Sequence, residues 1–259
     1  MTNRLPLLAG NWKMHHDHLE AISVVQKLAW ALRDAKISED TAQVAVLVPF
    51  TDIRSVQTLI QGDKLPLSYG AQDLSEHAEG AHTGDISGRF LQQLGCDFVV
   101  VGHSERRSDH HEDNALVGRK VRAALDHELT PILCVGESLT ERENGDHVSF
   151  TLEQCEEALG KIDAPEELVI AYEPVWAIGT GKTATANDAH EMAQEIRGWL
   201  AQRYDASVAE STRILYGGSV KPENVAEIMQ SEHVDGALVG GASLDPDTFA
   251  RLIATSVRL

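Results

Sequence analysis

Cysteine is scarce in this chain of 259 residues: there are three, Cys96, Cys134 and Cys155, and no CxxC pair. That argues against a disulfide framework or a zinc ribbon and favours a reducing compartment, the cytoplasm. Long apolar runs are missing too. None approaches the ~20 residues of a membrane helix, and "MTNRLPLLAGNWKM" lacks the apolar stretch and small-residue cleavage site of a secretion signal. Positive charge is also short, since 22 basic against 40 acidic residues leave a net charge of −18. Nucleic acids and anionic membranes are repelled by such a surface, so neither is expected as a partner. A small anionic substrate stays open, because screening over ~8 Å lets a few cations in a cleft outweigh distant charge.

What is present is a rhythm. Short β-rich runs recur as "LPLLAGN", "AQVAVLVP", "LPLSYGA", "CDFVVVGH", "TPILCVGE", "ELVIAYE", "TRILYGG" and "VDGALVGG". Most are continuously apolar, as strands buried on both faces of a parallel sheet are. Amphipathic stretches lie between them. In "LEAISVVQKLAWALRDA" the residues Ile22, Val25, Ala29 and Leu32 follow helical spacing. Asp113 and Asp188 stand as N-caps of two further helices. Eight strand–helix units in this length predict an α/β fold, a (β/α)8 TIM barrel forming one domain over residues 1–259. The alternative, a doubly wound open sheet, calls for a GxGxxG turn after its first strand, where this chain has "AGNWKM".

A barrel of this kind does its chemistry where strands end and βα loops begin. Those positions hold Asn11, Lys13, Gln72, His103, Glu105, Glu137, Glu173, Ser219 and the pair Gly240–Gly241. A cation, a histidine, carboxylates and glycine turns together suit proton transfer on an anionic substrate. Singly, each has a plain structural reading, a solvated lysine or a satisfied core histidine. Glu173 stands out, because a carboxylate closing the run "LVIAY" sits at the rim of a packed core, where desolvation raises its pKa. The histidine-rich pieces "HHDH" at 15–18 and "HH" at 110–111 lack a completing ligand set, so no metal is expected.

"GTGKT" at 179–183 imitates a phosphate loop, but the pattern needs a glycine at 176, and Trp176 stands there. The stretch Pro174, Val175, Trp176, Ala177, Ile178, Gly179, Thr180, Gly181, Lys182 reads better as a hinged lid, stiff at its proline and loose at its glycines. Phosphate is expected instead at "YGGSV" and "VGGAS", the glycine-rich turns after the last two strands.

The motifs "GNWKM" (10–14), "GAQD" (70–73), "VVVGHSERR" (99–107), "CVGE" (134–137), "AYEPVWAIGTGKTAT" (171–185), "LYGGSV" (215–220) and "LVGGASL" (238–244) resemble, in order and along nearly the whole chain, those of the triosephosphate isomerase family. The resemblance implies interconversion of dihydroxyacetone phosphate and D-glyceraldehyde 3-phosphate, in glycolysis and gluconeogenesis, without cofactor or metal. By the same resemblance Glu173 is the general base, His103 a neutral electrophile, and Lys13 a stabilising cation beside Asn11. Glu105 lies close to the site, and Gly179, Ser219, Gly240 and Gly241 contact phosphate. A helix beginning at "SERR" would present its positive end to His103 and favour the neutral ring, a tuning for which the family is a standard illustration.

The resemblance further implies a homodimer. In the family the matching loop inserts into the neighbouring subunit, so "AQDLSEHAEGAHTGDIS" is expected to do so here, with Thr83 and Gly84 near the partner's site and Arg106 at the interface. His15, His82 and Asp85 depart there from the family's usual Asn, aromatic and Glu. Two other functions stay open at this level, a Schiff-base aldolase using Lys13 and a binding protein on a barrel without activity.

Overall fold

The computed structural model describes residues 4–178 and 184–257. Eight strands form a closed parallel barrel in sequential order, with the first hydrogen-bonded to the last. They are β1 (Leu7–Asn11), β2 (Gln43–Val48), β3 (Ser68–Ala71), β4 (Phe98–Val101), β5 (Thr130–Val135), β6 (Val169–Tyr172), β7 (Arg213–Tyr216) and β8 (Gly236–Val239). Each coincides with one of the eight apolar runs. The helices are α1 (His18–Asp34), α2 (Ile53–Asp63), α3 (Gly88–Gln93), α4 (Ser104–Asp109), α5 (Asn114–Asp126), α6 (Leu139–Asn144), α7 (His147–Leu159), α8 (Ala186–Arg203), α9 (Ala206–Ser211), α10 (Val225–Ile228) and α11 (Pro246–Ser256). Among the described residues no helix is long and apolar enough to cross a membrane.

The strands read as unbroken apolar runs because both of their faces are covered. Alternate residues divide between two cores. Leu7, Ala9, Ala45, Leu47, Phe98, Val100, Ile132, Cys134, Val169, Ala171, Leu215 and Leu238 fill the barrel interior. Their neighbours, such as Leu8, Val46, Val99, Leu133, Ile170 and Val239, pack in the outer core with helix residues such as Val25, Val121 and Ile196. The period of two thus fixes which residues point inward. Counted two residues beyond the last inward side chain, the same parity reaches Asn11 on β1, Gly136 after β5, Glu173 after β6, Gly217 after β7 and Gly240 after β8.

Two local expectations need correction. On α1 the buried set is Ala21, Val25, Leu28, Ala29 and Leu32, while Ile22 is 38% exposed. One step of helix rotates about 100°, and here the small Ala21 takes the inner position that Ile22 was expected to fill. At α8 the N-cap is Thr185, and Asp188 is its partner three residues in. The Thr185 hydroxyl accepts from the Asp188 N–H, while the Asp188 carboxylate accepts from the Thr185 N–H, closing a capping box. Asp113 does cap α5, accepting from the Leu116 N–H at 2.7 Å.

Candidate active site

The end of β6 aims Glu173 at the rim of the barrel, where it is 2% exposed. Its backbone N–H still donates to Val135 O at 2.8 Å, so the residue is fixed as an extension of the sheet. On either side glycines make room. A Cβ at 136 would fall 1.8 Å from the Glu173 carbonyl oxygen, and one at 217 would fall 2.9 Å from its Cγ. Both positions accept only hydrogen at that distance.

His103 is the N-cap of α4, and its Nδ1 accepts from the Glu105 N–H at 3.2 Å. That leaves Nε2 as the protonated nitrogen of a neutral ring. Nε2 lies 2.9 Å from Glu173 Oε1, and the Ser104 N–H donates to Glu173 Oε2 at 3.0 Å. The carboxylate is therefore held by the imidazole and by the first turn of α4, where the helix end is positive. Arg107 braces that turn, donating to Gly102 O, Asn114 Oδ1 and Cys134 O at 2.7, 2.6 and 3.2 Å.

Lys13 completes the group. Its backbone sits at φ +54°, a left-handed turn that the Asn11 side chain stabilises by accepting from the Lys13 N–H at 3.1 Å. The ammonium pairs with Glu105 Oε1 at 2.5 Å. Gly240 lies against the same side chain, since a Cβ there would be 3.6 Å from Lys13 Cε. Gly241 opens a short 3₁₀ turn, Gly241–Ser243, after β8. Ser219 follows β7, its carbonyl accepting from Asn224 Nδ2 at 3.0 Å.

The electrostatics differ from the sequence expectation in one respect. Burial pushes the Glu173 carboxyl up, as anticipated, but His103, the Ser104 N–H and Lys13 outweigh it and hold the group below its ordinary value. For His103, burial pulls the pKa down, while the charge and hydrogen bond of Glu173, with Glu105, outweigh that and raise it. The helix end and the burial that favour a neutral ring are present. The carboxylate 2.9 Å away opposes them.

The structure thus brings Asn11, Lys13, His103, Glu105 and Glu173 into one bonded group with Gly240 beside it, and sets Ser219 and Gly241 at the same ends of the barrel. Of the lid stretch, Pro174–Ile178 are described. Val175–Ala177 form a 3₁₀ turn, with Pro174 and Ala177 buried and Trp176 and Ile178 half-buried, so this half is packed down. Gly179, Thr180, Gly181 and Lys182, expected to complete the lid, lie outside the described residues. Glu137, with no clear role in the sequence, is wholly buried and accepts from Trp176 Nε1 at 2.8 Å and Tyr172 Oη at 3.0 Å. Gln72 donates to Leu47 O and serves the backbone. Sequence reading gave no separate role to Gly136, Ser104 or Arg107, and took Gly217 only as part of a phosphate-binding turn. The inward parity of the strands points to the two glycines, and only the folded positions reveal the other two.

The family model for triosephosphate isomerase matches residues 6–256. The chain belongs to the triosephosphate isomerase family. Among its relatives, the triosephosphate isomerase of Mycobacterium avium (strain 104) is 59% identical over 254 residues, 97% of either chain. That of Streptomyces coelicolor is 59% identical over 255 residues, 98% of either chain. That of Mycobacterium bovis is 56% identical over 254 residues, 97% of either chain. An isomerase family of this kind fits a rim where a carboxylate, an imidazole and an ammonium converge.

Proposed function

We propose that this chain interconverts dihydroxyacetone phosphate and D-glyceraldehyde 3-phosphate through an enediolate, with Glu173 as the base that moves the proton. The observation that carries the reading is the contact of Glu173 with His103 Nε2 beside Lys13, at the ends of the strands. A carboxylate there takes the carbon-bound proton next to the carbonyl and returns it one carbon along. Nε2–H of His103 donates to the oxygen that gains negative charge, and Lys13 stabilises the same charge. Once Glu173 turns to the substrate carbon, its pull on His103 weakens. Burial, the helix end and Lys13 then favour the neutral ring, with Glu105 opposing. Asn11 and Glu105 hold Lys13 in place. Backbone N–H groups at Gly179, Ser219, Gly240 and Gly241 take the phosphate. Residues 174–182 act as a lid that keeps water from the enediolate. The reading needs no cofactor and no metal. A coupled assay of the purified chain with dihydroxyacetone phosphate tests it; absence of isomerisation refutes it.

The whole chain is read as one domain acting as a homodimer in the cytoplasm. Three unpaired, buried cysteines support the compartment. For the dimer, the support is a loop that is ordered yet uncovered. Ser75 and Asp85 are tied at 2.7 Å, Ser87 Oγ donates to Ala78 O, and His77 and His82 stack with centroids 3.8 Å apart. Even so, residues 77–85, including His82, Thr83, Gly84 and Asp85, are exposed. Met14 is 95% exposed and His15 exposed beside it, and a second copy covering both this turn and the loop would remove that apolar side chain from water. Sedimentation velocity at low micromolar protein should show a dimer, and a monomer refutes the reading.

A further inference from the structure

The helix packed behind β5, α7, turns a primary amide toward the core. Its buried residues are Thr151, Gln154, Cys155, Ala158 and Leu159. Gln154 is 6% exposed, and an amide enclosed so far is costly unless both of its ends are bonded. Both are bonded, and to one residue. The Gly136 N–H donates to Gln154 Oε1 at 2.7 Å, and Gln154 Nε2 donates to Gly136 O at 3.3 Å. A primary amide presents an acceptor and a donor side by side, the pair that a neighbouring strand would offer. Since β5 ends at Val135, Gln154 carries the restraint of the sheet one residue further.

Gly136 is the residue against which the backbone of Glu173 rests. A Cβ built there would fall 1.8, 2.6 and 3.2 Å from Glu173 O, C and Cα. Its neighbours complete the bed: Val135 O accepts from the Glu173 N–H at 2.8 Å, and Glu137 O accepts from the Val175 N–H at 3.1 Å. Just before them, Cys134 O accepts from Arg107 Nη2 at 3.2 Å, which ties the same strand end to α4, the helix of Ser104. The bed matters once the carboxylate moves. Its oxygens are now held by His103 Nε2 and the Ser104 N–H, and these contacts loosen as Glu173 turns to a substrate carbon. From then on the backbone chiefly sets where the reacting oxygen lies.

We propose that Gln154 is a positioning residue for the isomerisation. By clamping both polar groups of Gly136 it fixes the peptide of Glu173, and through that peptide the approach of the carboxylate to the carbon that loses its proton. The proposal rests on the reading of Glu173 as the base. The hydrogen bonds of Gln154 to Gly136 involve neither Lys13 nor the glycine turns at 217–218 and 240–241. Losing them should therefore leave substrate binding in place and slow the proton transfer, whose rate falls steeply when donor and acceptor are misplaced by a fraction of an ångström.

The test measures kcat and KM well below the melting temperature, and the melting temperature itself. The unaltered protein is compared with Gln154→Met, Gln154→Glu, Glu173→Gln and the double variant Gln154→Met with Glu173→Gln. Methionine keeps the length of the side chain and removes both hydrogen bonds. It is expected to lower kcat about tenfold and to change KM by less than about twofold. Gln154→Glu keeps an acceptor within reach of the Gly136 N–H without the amide donor. It should recover part of the loss, and it covers the case in which the methionine variant does not fold. In the double variant the change at 154 should cost no further rate, because the group it places is already gone. A merely structural glutamine would lower the melting temperature and leave kcat unaltered in the folded variants, and that result overturns the proposal. A further loss of about tenfold in the double variant would show that Gln154 acts on something other than Glu173, and overturns it as well. Near-normal turnover in Glu173→Gln overturns the base, and this proposal with it. A slow Glu173→Gln beside unchanged kcat in both Gln154 variants overturns Gln154 alone.

Discussion

Replacing Glu173 with glutamine is expected to leave the barrel folded and to lower turnover by ~10²–10⁴, the loss typical of a removed general acid–base group. The fold should survive because glutamine keeps the size of the side chain. Its carbonyl oxygen can still accept from the Ser104 N–H or from His103 Nε2, the two contacts that hold the carboxylate now. What glutamine cannot do is accept a proton from carbon. The effect should therefore fall on kcat and leave substrate binding and melting temperature close to the starting values. Steady-state kinetics on purified protein of unchanged circular dichroism checks this, and near-normal turnover would falsify the assignment of the base.

A second large effect is expected away from the site, at Glu112. This residue follows α4 and is buried with Asp73 and Lys120. Lys120 Nζ bonds Asp73 and Glu112 at 2.6 Å each, and Arg106 bonds the same two carboxylates at 2.9 and 2.7 Å. Two cations and two anions thus balance, with Lys120 inside the protein and Arg106 part-exposed at its edge. Burial pushes the Glu112 carboxyl up, but Lys120 and Arg106 together bring it below its ordinary value. Glu112→Ala leaves the buried Lys120 and the part-exposed Arg106 facing one carboxylate. An uncompensated buried charge costs about 3–5 kcal/mol, a fall on the order of 10 °C in melting temperature for a chain of this size. A linked loss of acid stability follows. A carboxylate held below its unfolded value stabilises the fold above that value, and the contribution is lost as pH falls through the lowered one. Glu112→Ala should accordingly flatten the decline in stability between about pH 5 and pH 3. Thermal melts across that range measure both effects. A melting temperature within a degree or two of the original would show that the cluster is solvated and contributes little.

The barrel was legible because its strands are buried on both faces, so each announces itself as an apolar run whatever its neighbours do. Helix faces were less legible. The shift from Ile22 to Ala21 and Leu28 depends on what lies beneath α1, and Asp188 looks like a cap until Thr185 supplies a better one. The site was legible to the extent that its members are side chains with chemistry of their own, at the ends of strands: Lys13, His103, Glu105 and Glu173. Supporting parts were not. Gly217 is defined by the absence of a side chain next to Glu173, Ser104 acts through its backbone, and Glu137 shows its part only where Tyr172 and Trp176 donate to it. Charge balance was illegible for a related reason. The pull of His103 on Glu173 reverses the upward shift that burial alone implies, and that pairing joins residues 70 positions apart in sequence, 103 and 173.

The central claim is that one carboxylate moves a proton, not a hydride, between adjacent carbons, and the fate of that hydrogen tests it most directly. Dihydroxyacetone phosphate is converted by the purified protein in D₂O, the aldehyde product is trapped by oxidation as it forms, and its deuterium content at the carbon beside the new aldehyde group is read by NMR. The account predicts product carrying solvent deuterium at that carbon, because a proton held on Glu173 can exchange before it returns, and it predicts that Glu173→Gln loses conversion and exchange together. Rapid conversion with only protium at that carbon, or deuterium incorporation that persists undiminished in Glu173→Gln, would contradict it.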